Sequence, residues 1–313
     1  MVLAERTPGM LCFDNVVPGT VVVRSTYLPD QKDTIIYKQG RDYVLNYTLG
    51  TIARSPISRI PDYAANILYG KKAFDHTKYP GYGNHAFFVW VDYETKNGHP
   101  VAVKTDQSAL LQKSLAKLNA GGPFKIIVFG DSISTGCEAS AEALRYPNLY
   151  AQSLQTRFPK AQITLENGAK GGDTSVQGIA RLEDKVLSRN PDLVLLAFGM
   201  NDHNKGSVPL DTFEKNLESM VQKIRERTGA EVIILSTFPP NPDWAFGSHQ
   251  MEKYAQTTQN AAKKLKCAYA DVYSVWAKVL ERKDWPSLLG NNINHPNNFG
   301  HWLYLQALEA VGF

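Results

Sequence analysis

The second part of the chain alternates short apolar runs with helical patterns, and this alternation restricts the fold more than any other feature. From residue 124 onward, apolar runs occur at 126–129, 193–198 and 232–235, and weaker ones at 162–166 and 268–272. Such continuous runs are typical of strands that are buried on both faces of a parallel sheet. The intervals carry apolar residues at helical spacing, as at Phe213, Leu217, Met220, Val221 and Ile224. The pattern predicts an α/β fold with a doubly wound parallel sheet.

Residues 1–105 have a different pattern. Short β-type runs such as 20–25, 33–38, 42–47 and 85–93 are separated by glycine and proline, and no long amphipathic helix is predicted. We expect a smaller β-rich domain here, either a sandwich or an appendage. Residues 106–123 predict a helical linker that ends at Gly-Gly-Pro, and residues 124–313 form the α/β domain.

Composition excludes several classes of protein. The chain has 313 residues, 43% hydrophobic and 20% charged, with a net charge of +4 and no long basic run. These values indicate a folded chain without a nucleic-acid partner. No apolar stretch reaches the roughly 18 residues that span a bilayer, and the start lacks a signal-peptide core. We expect no membrane partner, and either a cytoplasmic protein or the mature part of a secreted one. The thiols Cys12, Cys137 and Cys267 are expected to be packed and unpaired.

The stretch "IIVFGDSISTG" at 126–136 places a hydroxyl directly after a predicted buried strand. Ligands of doubly wound sheets bind at the carboxyl ends of the strands, so Ser132 is a candidate nucleophile. The alternative is an ordinary turn, because Gly, Asp and Ser are all turn formers.

Three further strand ends carry residues that suit acyl transfer. Gly172 can bring a backbone N–H close to a substrate, and the amide of Asn201 can donate to an oxyanion. His295, one of seven histidines, is the candidate base. Each has a structural alternative: a loop glycine before a helix cap, an Asx-type loop residue, and a packed or solvated histidine.

Taken together, these motifs resemble an SGNH hydrolase of the GDSL type over residues 124 to about 310. "FGDSIS", "GGDTS", "GMND" and "NHPNNFGH" are similar to the family's blocks in their order along the chain. The resemblance implies a flavodoxin-like three-layer fold and hydrolysis of esters through an acyl-Ser132 intermediate without a cofactor. It assigns the oxyanion hole to Ser132, Gly172 and Asn201, and the base to His295.

One position departs from the family's pattern. Asn292 stands three residues before His295, where the family usually has Asp. Three readings are open: Asn292 orients His295, a backbone carbonyl does so in a Ser-His dyad, or an acid from elsewhere reaches in. The first two are favoured, since neutral third members are known in Cys-His-Asn sites.

A metal site and the substrate are the remaining questions. Asp202, His203, His295 and His301 could be drawn together as ligands, but their spacing matches no metal motif, so no metal is predicted. The expected substrate is a small-molecule or polysaccharide ester, most simply an acetyl ester on a carbohydrate, because the β-rich front end resembles two-domain carbohydrate esterases. Trp244 is a candidate for stacking on a sugar, and a packed aromatic is its alternative. The alternatives are a lipase or thioesterase and a catalytically weakened carbohydrate-binding module.

Overall fold

The computed structural model describes residues 1–98, 101–204 and 207–313, and the chain divides into two compact units. The first unit contains Met1–Pro100, Asp243–Ala245 and Lys278–Ile293. The second contains Val101–Pro242, Phe246–Ala277 and Asn294–Phe313. The predicted boundary near residue 105 did not anticipate that two later segments join the first unit.

The strands and helices alternate regularly only in the second unit. The strands are β1 (Gly9–Met10), β2 (Val22–Arg24), β3 (Ile36–Tyr37), β4 (Tyr43–Asn46), β5 (Thr51–Arg54), β6 (Trp90–Asp92), β7 (Gly122–Gly130), β8 (Ala161–Asn167), β9 (Leu193–Ala197), β10 (Glu231–Leu235) and β11 (Ala268–Ala270). The helices are α1 (Gln112–Ala120), α2 (Ser132–Thr135), α3 (Tyr146–Arg157), α4 (Ser175–Lys185), α5 (Leu210–Thr228), α6 (Met251–Leu265), α7 (Val272–Leu280), α8 (Trp285–Leu288) and α9 (Asn298–Ala310).

The second unit is built on a five-stranded parallel sheet with the order β8-β7-β9-β10-β11. This is the flavodoxin-like order, in which the first strand, β7, lies between the second and third strands. The predicted doubly wound α/β fold is confirmed. The order reverses at β7, so the loops after β7 and β9 meet at the position where such sheets bind ligands.

Helix packing in this unit follows the apolar spacing of the sequence. The five apolar residues predicted for one face of α5 are all fully buried. On α4, Leu182 is buried, whereas Val176 lies in the first turn and is exposed. The linker helix α1 ends at Gly121, whose φ of +79° suits glycine, and β7 begins immediately afterwards at Gly122.

The first unit contains two small antiparallel sheets, with the orders β1-β5-β4 and β3-β2-β6. The predicted β-rich character is confirmed, but the run at 85–93 is a strand only over Trp90–Asp92. Its first part, His85–Phe87, forms a single 3₁₀ turn. Among the described residues, no helix is both long and apolar enough to cross a membrane.

Candidate active site

Ser132 is the first residue of α2. One residue, Asp131, separates it from the carboxyl end of the central strand β7. Asp131 caps the short helix, and its Oδ1 accepts a hydrogen bond from the N–H of Ile133 at 2.9 Å. Gly130 is required at the strand end because a Cβ there would collide with the carbonyl oxygen of Ala197 on β9. The Gly-Asp-Ser sequence thus allows close packing of the strands and places Ser132 at the turn.

The hydroxyl of Ser132 and the ring of His295 form a hydrogen bond, with Oγ and Nε2 separated by 2.8 Å. His295 comes just before α9, which is capped by Asn297 through bonds from the N–H groups of Phe299 and Gly300. Ser132 is 7% exposed. The pair has the separation that a nucleophile and its general base require for proton transfer.

The imidazole of His295 is held in its neutral form by burial, which lowers its pKa below the ordinary value. The negative charge of Glu138 opposes this effect and raises the same pKa. At neutral pH the unprotonated Nε2 can therefore accept the proton of Ser132.

Gly172 lies in the loop after β8, next to the nucleophile. Its φ of +82° favours glycine, and a Cβ at this position would meet no atom within 4 Å. A Cβ added to the neighbouring Gly171 would lie 3.7 Å from the Cβ of Ser132. The N–H of Lys170 donates to the carbonyl of Gly130 at 3.0 Å and fixes the start of this loop. The loop therefore brings an exposed, glycine-only backbone turn beside Ser132.

Asn201 follows β9, the neighbour of β7 on the other side. Its Nδ2 donates to the carbonyl oxygen of Asp173 at 2.9 Å. The carboxylate of Asp173 is held in turn by Arg181, with Nε and Oδ2 at 2.6 Å. A primary amide has two hydrogens, so this bond orients the group while the second hydrogen can serve an oxyanion.

The other candidate metal ligands take structural positions. Asp202 accepts a hydrogen bond from the N–H of Ser175 at 2.9 Å, and burial raises its pKa. Burial lowers the pKa of both His203 and His301 to about 4. In the described part of the chain, no three His, Cys, Asp or Glu side chains are grouped so that they could hold a metal ion.

The carboxyl group of Asp131, the residue before Ser132, is buried, and burial raises its pKa to about 7. The charge of Asp202 raises it further, while backbone N–H donors, including that of Ile133, oppose the rise. The group borders a small internal cavity lined in part by Phe198 and Tyr304. Its ionisation is therefore more costly in the folded chain than in the unfolded chain.

The buried Asp131 gives stability a definite pH dependence. The stability that folding gains from a protonated Asp131 is complete below the unfolded pKa of about 4. It is lost as the pH rises through the folded pKa of about 7. The loss is on the order of 4 kcal/mol. We expect Asp131→Asn to flatten the fall in unfolding free energy over this window, as measured by urea denaturation at several pH values. Asp211→Asn, at an exposed position of α5, is the control. Parallel pH profiles for wild type and Asp131→Asn would contradict this account.

Asn292 belongs to the first unit, where it is 1% exposed with a φ of +60°. Its Oδ1 accepts hydrogen bonds from the hydroxyl of Tyr63 at 2.7 Å and from Nδ2 of Asn84 at 2.8 Å. Its Nδ2 donates to the carbonyl of Tyr82 at 2.8 Å. A carbonyl oxygen has two lone pairs, so two donors fill its capacity. This network favours a structural role over orientation of a histidine.

Trp244 also belongs to the first unit and is 5% exposed. It packs in an apolar cluster with Leu68, Phe74 and Ile293, and its Nε1 donates to Nδ1 of His76 at 3.1 Å. This burial favours the packed-aromatic alternative over stacking on a sugar.

A sequence model of the GDSL-like lipase/acylhydrolase family matches residues 128–303, more than half of the chain. The chain belongs to this family. The resemblance seen in the four motifs is thereby confirmed.

Two curated relatives are esterases. An arylesterase from Vibrio mimicus is 35% identical over 118 residues, which cover 37% of this chain and 56% of that protein. An acetylxylan esterase from Geobacillus stearothermophilus is 27% identical over 221 residues, covering 63% of this chain and 97% of that protein. The chain thus spans little more than half of the first relative and nearly all of the second.

Solved structures show the same fold. The crystal structure of an acetylxylan esterase from Geobacillus stearothermophilus has a TM-score of 0.53 at 24% identity and covers 62% of this chain and 97% of its own. A two-domain esterase active on acetylated mannans has a TM-score of 0.55 at 23% identity and covers 67% of this chain and 54% of its own. At these identities the likeness concerns the fold alone.

Proposed function

We propose that the chain is a serine esterase that works through an acyl-Ser132 intermediate and removes acetyl groups from a carbohydrate. The observation that carries the proposal is the 2.8 Å hydrogen bond between Ser132 Oγ and His295 Nε2 at the switch point of the sheet. A neutral base in contact with a hydroxyl supports nucleophilic catalysis rather than a binding module without activity.

In the first half-reaction, Ser132 Oγ attacks the ester carbonyl carbon while His295 Nε2 takes the hydroxyl proton. The carbonyl oxygen becomes an oxyanion, for which the N–H groups of Ser132 and Gly172 and the amide of Asn201 are the proposed donors. The tetrahedral intermediate collapses, the bond to the alcohol breaks, and His295 returns the proton to the leaving oxygen. The acyl group is then bound to Ser132.

In the second half-reaction, water attacks the acyl carbon and His295 takes one of its protons. The new tetrahedral intermediate expels Ser132 Oγ, which recovers its proton from His295, and the carboxylic acid leaves. The same base therefore acts twice, and no metal ion or cofactor is required for either half.

The acetyl group and the carbohydrate are supported by the acetylxylan esterase relative, of which the chain covers 97%. The residues proposed to surround the reacting carbonyl, Ser132, Gly172 and Asn201, are small or polar, which suits a short acyl group. A long acyl chain gains about 0.8 kcal/mol per methylene only when the methylene is buried against apolar surface. The side chains of Ser132, Gly172 and Asn201 themselves supply none.

We expect kcat/KM to be highest for p-nitrophenyl acetate and to fall at least about 10-fold for the octanoyl ester, since Ser132, Gly172 and Asn201 give a longer chain no apolar side chain to pack against. A comparison of acetate release from acetylated xylan and from acetylated mannan then tests which carbohydrate forms the alcohol part of the ester. The Ser132→Ala variant supplies the background rate. Faster cleavage of octanoyl or longer esters would replace this proposal with a lipase-type activity.

A further inference from the structure

The residues just after the nucleophile helix are fixed against the start of α9, close in sequence to His295. The carbonyl oxygen of Cys137 accepts a hydrogen bond from Nε2 of His301 at 3.2 Å. The N–H of Ser140 donates to Oδ1 of Asn298 at 2.8 Å. Glu138 lies between these two anchors, and Asn298 is three residues after His295. The two bonds hold the backbone of Glu138 beside the turn that carries the base.

The same segment is fixed on the nucleophile side. The N–H of Cys137 donates to the carbonyl oxygen of Ser132 at 3.1 Å, and Gly136 closes α2 in the left-handed conformation. Glu138 itself has a φ of +67°, which is uncommon for a residue with a side chain. Such a conformation costs free energy and persists where the surroundings impose it, often at functional sites.

The charges around His295 favour Glu138 as its partner. Glu138 is half-buried, and its negative charge acts on the His295 ring. His301 has a pKa lowered to about 4 by burial, so it is neutral when His295 works as a base. Arg145, whose charge acts on His301, supplies positive charge in this region. Glu138 is thus the anion that can compensate a positive charge on His295.

We propose that, within the serine mechanism above, Glu138 positions His295 and takes the place of the acid that is missing at position 292. For Nε2 of His295 to accept the proton of Ser132, the proton of the neutral ring must be on Nδ1. A carboxylate stabilises this tautomer and the imidazolium that forms when Ser132 is deprotonated, as the acid of a serine-protease triad does. The carboxamide oxygen of Asn292 is already occupied by Tyr63 and Asn84.

The test is the pH profile of kcat/KM for p-nitrophenyl acetate in Glu138→Gln, which keeps the shape of the side chain and removes its charge. We expect a loss of about 10² to 10⁴-fold and a shift of the acid limb to lower pH, since His295 loses the charge that raises its pKa. Glu142→Gln, on an exposed residue four positions later, is the matched control and should change neither quantity.

A second measurement follows the His295 ring directly by NMR titration in wild type and Glu138→Gln, and does not depend on activity. A lower pKa of His295 in the variant is expected. The role of Glu138 is overturned if Glu138→Gln matches wild type in kcat/KM, in the acid limb of the pH profile and in the His295 titration. If Ser132→Ala is inactive, that outcome leaves the serine mechanism standing. If Ser132→Ala keeps its activity, the mechanism itself fails, whatever the titration shows.

Discussion

Replacing Ser132 with alanine is expected to lower kcat for p-nitrophenyl acetate by at least about 10⁴-fold, because the nucleophile and its base act as a unit. The thermal unfolding midpoint should change little, since the structure shows the Ser132 hydroxyl bonded to the other proposed catalytic side chain, His295, and this bond joins the reacting groups. Steady-state kinetics and circular dichroism on the same preparation measure both quantities.

Ser134 provides a matched control on the same short helix. Its hydroxyl is buried and forms a hydrogen bond with the hydroxyl of Tyr146 at 2.8 Å, so its partner is not His295. Ser134→Ala should therefore keep activity within about 10-fold and lose about 1 kcal/mol of stability. If Ser132→Ala retains more than a few per cent of wild-type activity, Ser132 is not the nucleophile.

Asn292→Asp is expected to destabilise the chain by about 3 kcal/mol without accelerating hydrolysis. The new carboxylate would be buried, and it would lose the Nδ2 donor that now bonds the carbonyl of Tyr82. Burial raises the pKa of such a carboxyl, so the loss of stability should be smallest at low pH and grow as the pH rises. Urea denaturation at about pH 5 and pH 8 measures this.

The control is Asn46→Asp, at an exposed position of the same unit. There Oδ1 accepts from the N–H of Leu49 at 2.9 Å, a role that a carboxylate keeps. We expect a change within about 0.5 kcal/mol. A stable Asn292→Asp variant that hydrolyses esters faster than wild type would instead show that this position serves His295.

The fold of the second unit could be predicted because it follows from local patterns. Continuous apolar runs at 126–129 and 193–198 became the central strands β7 and β9, and the residues after them, Ser132 and Asn201, lie at the switch point. Parallel strands bring all their carboxyl ends to one edge, so order along the sequence sufficed to group these candidates. Their catalytic roles stay predictions.

Other features depend on contacts between residues far apart in sequence. The partners of Asn292 come from residues 63–84, more than 200 positions away, and the neighbours of Trp244 include Leu68 and Phe74. Such pairings leave no periodicity or spacing in the local sequence from which they could be predicted. The bend at Glu138 was missed for a related reason, since an acid six residues after the nucleophile resembles any loop residue until its φ is known.

Labelling by a fluorophosphonate tests most directly whether Ser132 is an activated nucleophile. Intact-mass spectrometry of the wild-type chain should show one added label, and peptide mapping should place it on Ser132. Ser132→Ala should take up no label under the same conditions, whereas Ser134→Ala should be labelled like wild type. An unlabelled Ser132, or a label that persists in Ser132→Ala, would contradict the account.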